Sequence, residues 1–144
     1  LQADGGKRMK VTMLKSVKSY TLDETVYEHE PEVAQLIDEP EAIKTVQEGM
    51  IAASRIGTAA GTFANYPITV GSKTGTPERG DGLCNAVFIA YAPAEDPEIA
   101  VAVVVEKGWE GYQIAPVARE IFDAYFFTQG DAASDGSGYG TLAP

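Results

Sequence analysis

A chain of 144 residues, 44% apolar and with a formal charge of -10, can bury the core of one domain and is too apolar for wholesale disorder. The acidic balance argues against nucleic acid or anionic membrane as partner, since the densest basic run is only Lys7-Arg8-Met9-Lys10. Cys84 is the lone cysteine, which excludes an internal disulfide, and no stretch is apolar and long enough to span a bilayer.

In chain order, Leu1 to Lys10 is polar, with Asp4-Gly5-Gly6 reading as a turn. Val11 to Tyr20 and Thr25 to Glu30 are extended candidates joined through Leu22-Asp23-Glu24 as a loose, peripheral hairpin. His29 stands among Glu28, Glu30 and Glu32, a pattern that reads as a solvated acidic face, so no metal site is expected. Asp38-Glu39-Pro40 starts a helix, with an Asx cap and proline in the first turn. Ile43, Val46, Met50 and Ala53 give that helix one apolar stripe to about Ile56. Gly57 to Thr62 ends it and leads through Asn65-Tyr66-Pro67 to an extended stretch.

That stretch, Ile68-Thr69-Val70-Gly71-Ser72-Lys73-Thr74-Gly75-Thr76-Pro77, carries the chemistry. Its β-branched residues favour a strand, on which Lys73 and Gly75 share one face and Thr74 and Thr76 the other. At a strand edge this sets an ammonium beside hydroxyls and backbone donors, suited to a carboxylate or a developing oxyanion. Gly75 permits close approach of a substrate backbone, and Pro77 keeps Thr76 extended. A phosphate loop is rejected, because position 72 is Ser and position 67 is Pro where that motif needs glycines. A solvated turn is the bland reading of K-T-G taken alone.

Glu78 to Gly82 is a charged, glycine-containing loop. Asn85 to Tyr91 and Ile99 to Val105 are apolar on both faces, as central strands between helices are, and the short link Ala92 to Glu98 makes them a hairpin. Cys84 reads as a small buried hydrophobe, and Trp109 as either a rim contact or a lid on the core. Pro116 opens a last helix with Val117, Ile121, Ala124 and Tyr125 as its buried stripe, and residues 128–144 read as a flexible Gly/Ser/Ala/Asp-rich tail. The fold class is α/β, an α+β sandwich with an antiparallel sheet flanked by helices.

Lys73-Thr74-Gly75-Thr76, preceded by the helix and Gly57-Thr58-Ala59 and followed by Val87-Phe88-Ile89-Ala90-Tyr91-Ala92-Pro93 and the last helix, resembles the C-terminal part of a penicillin-binding protein transpeptidase domain. Gly5-Gly6-Lys7-Arg8 with Leu14-Lys15-Ser16-Val17 resembles the segment after that family's second motif, so the likeness covers residues 1–127. The expected fold is then the C-terminal part of the β-lactamase/transpeptidase-like fold.

The resemblance implies acyl transfer between peptidoglycan stem peptides by a serine nucleophile, β-lactams as ligands, and no cofactor. It gives Lys73 a catalytic part, as positive potential for the substrate carboxylate and for poising the serine of the second motif. Thr74 and Thr76 would bind that carboxylate, Gly75 would admit the substrate, and the Thr76 N–H would be an oxyanion donor. The family's S-x-x-K and S-x-N motifs are absent: Ser16, Ser19, Ser54 and Ser72 all lack Lys three residues on. The chain therefore reads as a fragment, inactive alone, of an extracytoplasmic, membrane-anchored enzyme. Its missing N-terminal part would be a partner, and strand 99–105, left with an open edge, would favour self-association. A serine β-lactamase or a β-lactam sensor shares the motif and fold, and a non-catalytic interaction module on the same scaffold is the alternative of another class.

Overall fold

In the computed structural model, which describes residues 1–128, the turn expected at Asp4-Gly5-Gly6 is present. Gly5 and Gly6 take φ of 58° and 96°, and the Gly6 N–H donates to the Leu1 carbonyl at 2.9 Å. A Cβ on Gly6 would sit 2.5 Å from the Ile37 carbonyl oxygen, so only glycine admits this close approach. By contacts the chain divides into two units, Leu1–Gln47 and one beginning at Glu48.

In the first unit, β1 (Lys7–Met9) pairs antiparallel with β4 (Val33–Leu36), and β2 (Ser16–Lys18) with β3 (Thr25–Glu28). The second pair is the expected hairpin, shorter than its sequence suggests and exposed throughout β3. The first pair adds a strand that the reading of residues 1–10 as polar with one turn does not specify, because a basic tripeptide becomes a strand only through a partner far along the chain. His29 is half-buried rather than solvated, with Nδ1 3.2 Å from the Tyr27 hydroxyl oxygen.

Pro40 opens α1 (Pro40–Arg55), with Glu41 in the first turn and Arg55 in the last, both signs matched to the helix dipole. Ile43 and Met50 are buried as expected, but Val46 is exposed and Ser54 is sealed from solvent. The stripe therefore runs 43, 47, 50, 54, one step round the helix from the expected one, and ends on a hydroxyl.

The second unit is built on a three-stranded antiparallel sheet in the order β5 (Gly71–Gly75), β6 (Ala86–Ala92), β7 (Ile99–Val105). The β6–β7 hairpin falls where the sequence put it. Strand β5 begins three residues later than its β-branched run, since Ile68 to Val70 pair with no strand. The cross-strand partners Ser72↔Ala90 and Thr74↔Phe88 share one face, while Gly71↔Tyr91, Lys73↔Ile89 and Gly75↔Val87 share the other. Gly71 is required there: a Cβ would lie 2.5 Å from the Tyr91 ring.

The short α2 (Ala60–Phe63), unforeseen in a stretch read as a linker, packs with α3 (Ala115–Phe127) on the Phe88 side. The Phe63 ring stacks on Phe88 at 6.1 Å and meets Phe122 at 6.2 Å. In α3, Pro116 sits in the first turn as expected, but the buried stripe is Ala115, Ala118 and Phe122. Val117, Ile121 and Ala124 are exposed and Tyr125 is half-buried, which corrects the expected stripe by about one residue of rotation. Alanines let the helix close on the sheet, and β-branched residues there would hold it away. Among the described residues β7 lies at the sheet edge, in keeping with the open edge expected, but Val104 is 64% exposed, so its two faces are not both covered as those of a strand between helices would be. Residues 129–144, most of the expected flexible tail, lie outside the described residues.

Candidate functional site

Strand β5 carries Lys73, Thr74 and Gly75, with Thr76 one residue beyond its end. It is the other edge strand of the sheet, so among the described residues its outer backbone groups have no strand partner. The Lys73 side chain is exposed and its Nζ donates to the Thr74 carbonyl. The structure thus brings all four sequence-predicted site residues together at one accessible edge.

The Ser72, Thr74 and Thr76 hydroxyls are each met by a different segment. Ser72 Oγ lies 2.7 Å from Ser54 Oγ at the end of α1, and both side chains are buried. Thr74 Oγ1 lies 3.3 Å from Thr58 Oγ1 in the turn after α1. Thr76 Oγ1 accepts the Gly111 N–H at 3.2 Å. An amide can only donate, so the Thr76 oxygen is an acceptor in that bond and its own proton is free to donate elsewhere.

Gly111 opens a 3₁₀ turn (Gly111–Ile114) closed by a reciprocal capping box between Glu110 and Gln113. Its position is cramped: a Cβ would lie 2.4 Å from the carbonyl oxygens of Gly75 and Val87. Only a glycine brings a backbone donor this close to the end of the motif strand.

Beyond Thr76 a cavity of about 570 Å³ opens between the 78–84 loop and the 107–110 loop. Leu83, Cys84 and Trp109 give it apolar walls, and Glu78 and Lys107 give it charged ones. The first loop is a narrow extension of the β5–β6 hairpin, with Glu78 bridged to Cys84 and the Arg79 N–H donating to the Leu83 carbonyl at 2.7 Å. Asn85 Oδ1 accepts the Lys107 N–H at 3.1 Å and so joins the two loops. Cys84 is half-buried on this wall, not sealed in the core as its residue type suggested. Trp109 is 75% exposed with φ of 66°, which makes it a rim residue rather than a lid on the core.

Sequence reasoning missed the roles of Ser54, Thr58 and Gly111. Gly57-Thr58-Ala59 is visible as a motif, but that Thr58 meets Thr74 is a tertiary fact. A glycine just ahead of a helix-opening Pro116 is a weaker signal still.

A family model described as the penicillin binding protein transpeptidase domain matches residues 2–124. Penicillin-binding protein 2A of Bacillus subtilis is 34% identical, over 86% of this chain and 20% of its own length. A peptidoglycan D,D-transpeptidase of Mycolicibacterium smegmatis, PbpA, is 34% identical over 81% of this chain and 25% of its own length. The chain thus spans about a fifth to a quarter of the length of these relatives. Among solved structures, the imipenem acyl-enzyme complex of penicillin-binding protein A from Mycobacterium tuberculosis superposes with a TM-score of 0.71 at 30% identity, over 86% of this chain and 28% of that one. The D,D-transpeptidase domain of a peptidoglycan glycosyltransferase from Eggerthella lenta gives 0.72 at 28% identity, over 90% of this chain and 30% of that one.

Proposed function

The chain belongs to the penicillin-binding protein transpeptidase family, and from that premise we propose that it forms the C-terminal part of a peptidoglycan D,D-transpeptidase catalytic domain. The observation that carries this reading is the unpaired outer edge of β5, which carries Lys73 and Thr74 and leads at Thr76 into a cavity. An extended peptide can lie along such an edge by main-chain pairing, with its terminal carboxylate held by the ammonium and the two hydroxyls. Gly75 has no side chain to obstruct it.

In the proposed reaction a serine from a segment outside residues 1–144 attacks the penultimate D-Ala carbonyl. The carbon–nitrogen bond breaks, the last D-Ala leaves as an amine with a proton, and the acyl group passes to an amine of a neighbouring stem peptide. The Thr76 N–H serves as an oxyanion donor, a contribution of about 10²–10³ in rate for one such group. Lys73 supplies positive potential for the carboxylate. β-Lactams occupy the same place, and the setting is extracytoplasmic, with a membrane anchor outside this chain. The open edge of β7 is proposed to receive a strand from the rest of the domain or, in the isolated chain, a second copy.

The test is an intact mass measurement on the full-length protein and on residues 1–144 alone, each incubated with a labelled penicillin. We expect the full-length protein to gain one label outside this segment and the isolated chain to gain none. A label within residues 1–144 would overturn the assignment of the nucleophile, and an unlabelled full-length protein would overturn the reading itself.

A further inference from the structure

Thr58 is carried on a rigid turn. The Gly57 N–H returns to the Ala52 carbonyl at 3.0 Å and the Ala59 N–H to the Ala53 carbonyl at 3.0 Å, so the residues on either side of Thr58 are tied to the last turn of α1. Gly57 rests against that turn so closely that a Cβ would lie 2.8 Å from Ala53 Cα, and Ala59 is buried. Thr58 itself is exposed, with its hydroxyl 3.3 Å from that of Thr74. One step down, the buried Ser54–Ser72 pair fixes the same two segments to each other at 2.7 Å.

We propose that Thr58 is a positioning residue for anion capture: its hydroxyl donates to Thr74 Oγ1 and so commits the Thr74 proton to the ligand carboxylate. This rests on the transpeptidase reading of the same strand. Between two hydroxyls either can donate. If Thr74 donates to Thr58, its proton is withdrawn from the ligand. If Thr58 donates, the Thr74 oxygen is satisfied and its proton points outward, where an anion forms a charge-assisted bond with it. A bound carboxylate selects the second arrangement, and each bond in the chain polarises the next. The Gly111 N–H fills the same role for Thr76, so both ligand-facing hydroxyls would be backed by donors from outside the strand.

The experiment uses the full-length protein and two probes, a fluorescent penicillin with a free carboxylate and its methyl ester. Thr58→Val should slow acylation by the free acid about five- to tenfold, the effect of one neutral hydrogen bond. Thr58→Ser should restore it, the ester should be insensitive, and Thr58→Val should add nothing in a Thr74→Val background. Because Thr58 is exposed, melting temperatures should stay close to the parent's, and Thr58→Ala repeats the test should the valine variant misfold. Equal slowing with acid and ester, or effects at 58 and 74 that multiply, would overturn the proposal and leave the transpeptidase reading intact. A parent protein that takes no label from the free acid would overturn that reading instead.

Discussion

Ser54 and Ser72 share a buried hydrogen bond of 2.7 Å between their hydroxyl oxygens, directly behind the residue that presents the Lys73 ammonium. Replacing one serine strands the other without a partner in a sealed place, whereas replacing both removes the demand for one. Ser54→Ala and Ser72→Ala should each destabilise by about 1–3 kcal/mol, and the double variant by clearly less than their sum. Urea unfolding of the four proteins gives the cycle. Additive losses would show that the two hydroxyls do not depend on each other.

Gly111→Ala should be among the most damaging small substitutions in the chain. Its methyl group would have to enter the space 2.4 Å from two carbonyl oxygens, so the 3₁₀ turn must lift off β5 and β6 and the bond to Thr76 is lost. Overpacking of this kind costs about 1–3 kcal/mol or more. The melting temperature should fall, and acylation of the full-length protein should fall further than a distant substitution of equal stability loss would cause.

Lys73→Met in the full-length protein should lower acylation by a carboxylate-bearing penicillin about ten- to hundredfold, the effect of one charge-assisted hydrogen bond. The loss should be smaller with the methyl ester. Equal losses with both probes would place the lysine's contribution in the chemistry of the serine and not in ligand capture.

Tyr66 gives stability an alkaline limit. Its hydroxyl donates to Asp123 at 2.8 Å, and burial first, then the Asp123 carboxylate, push its ionisation well above the ordinary phenol range, with the Arg119 guanidinium opposing. Below about pH 10 neither folded nor unfolded chain has ionised it, and its full contribution is present. Above that, the unfolded chain releases a proton that the folded one retains, so stability falls as pH rises. Tyr91, raised by burial, adds a loss of the same sign. Tyr66→Phe should make the alkaline loss shallower and cost about 1 kcal/mol at neutral pH, read from unfolding midpoints at pH 7 to 11.

Self-association of residues 1–144 is expected to depend on β7. Val104 lies on its exposed side, and Val104→Lys should lower the association measured by sedimentation, since a charge on an edge strand opposes pairing with a second chain. An unchanged sedimentation profile would direct attention to the exposed Val117 and Ile121 of α3.

The parts legible in the sequence are those set by local chemistry. Pro40 and Pro116 marked two helix starts, the apolar runs of β6 and β7 with a short link marked a hairpin, and alternation along Lys73 to Gly75 sorted those three residues correctly between two faces. What was not legible depends on distant partners. Lys7–Met9 is a strand because Val33–Leu36 lies beside it. The rotation of α3 was missed because counting apolar residues favours Val117 and Ile121, whereas the sheet accepts the smaller Ala115 and Ala118. At the site, the motif was visible but its supports were not, because Ser54, Thr58 and Gly111 acquire their roles only when three segments meet.

The hydroxyl pairs along β5 repeat every second residue and so cannot count. A slip of two positions would carry Thr74 to Ser54 and Thr76 to Thr58, oxygen for oxygen, while moving the ammonium a full repeat away from its place. The Tyr91 ring forbids this. It covers the one point where the strand has no side chain, Gly71, and a two-residue slip in either direction would bring Lys73 or Thr69 there, with a Cβ 2.5 Å from the ring. The phenol acts as a proofreading stop, and the address of the lysine is encoded by a missing side chain two residues before it.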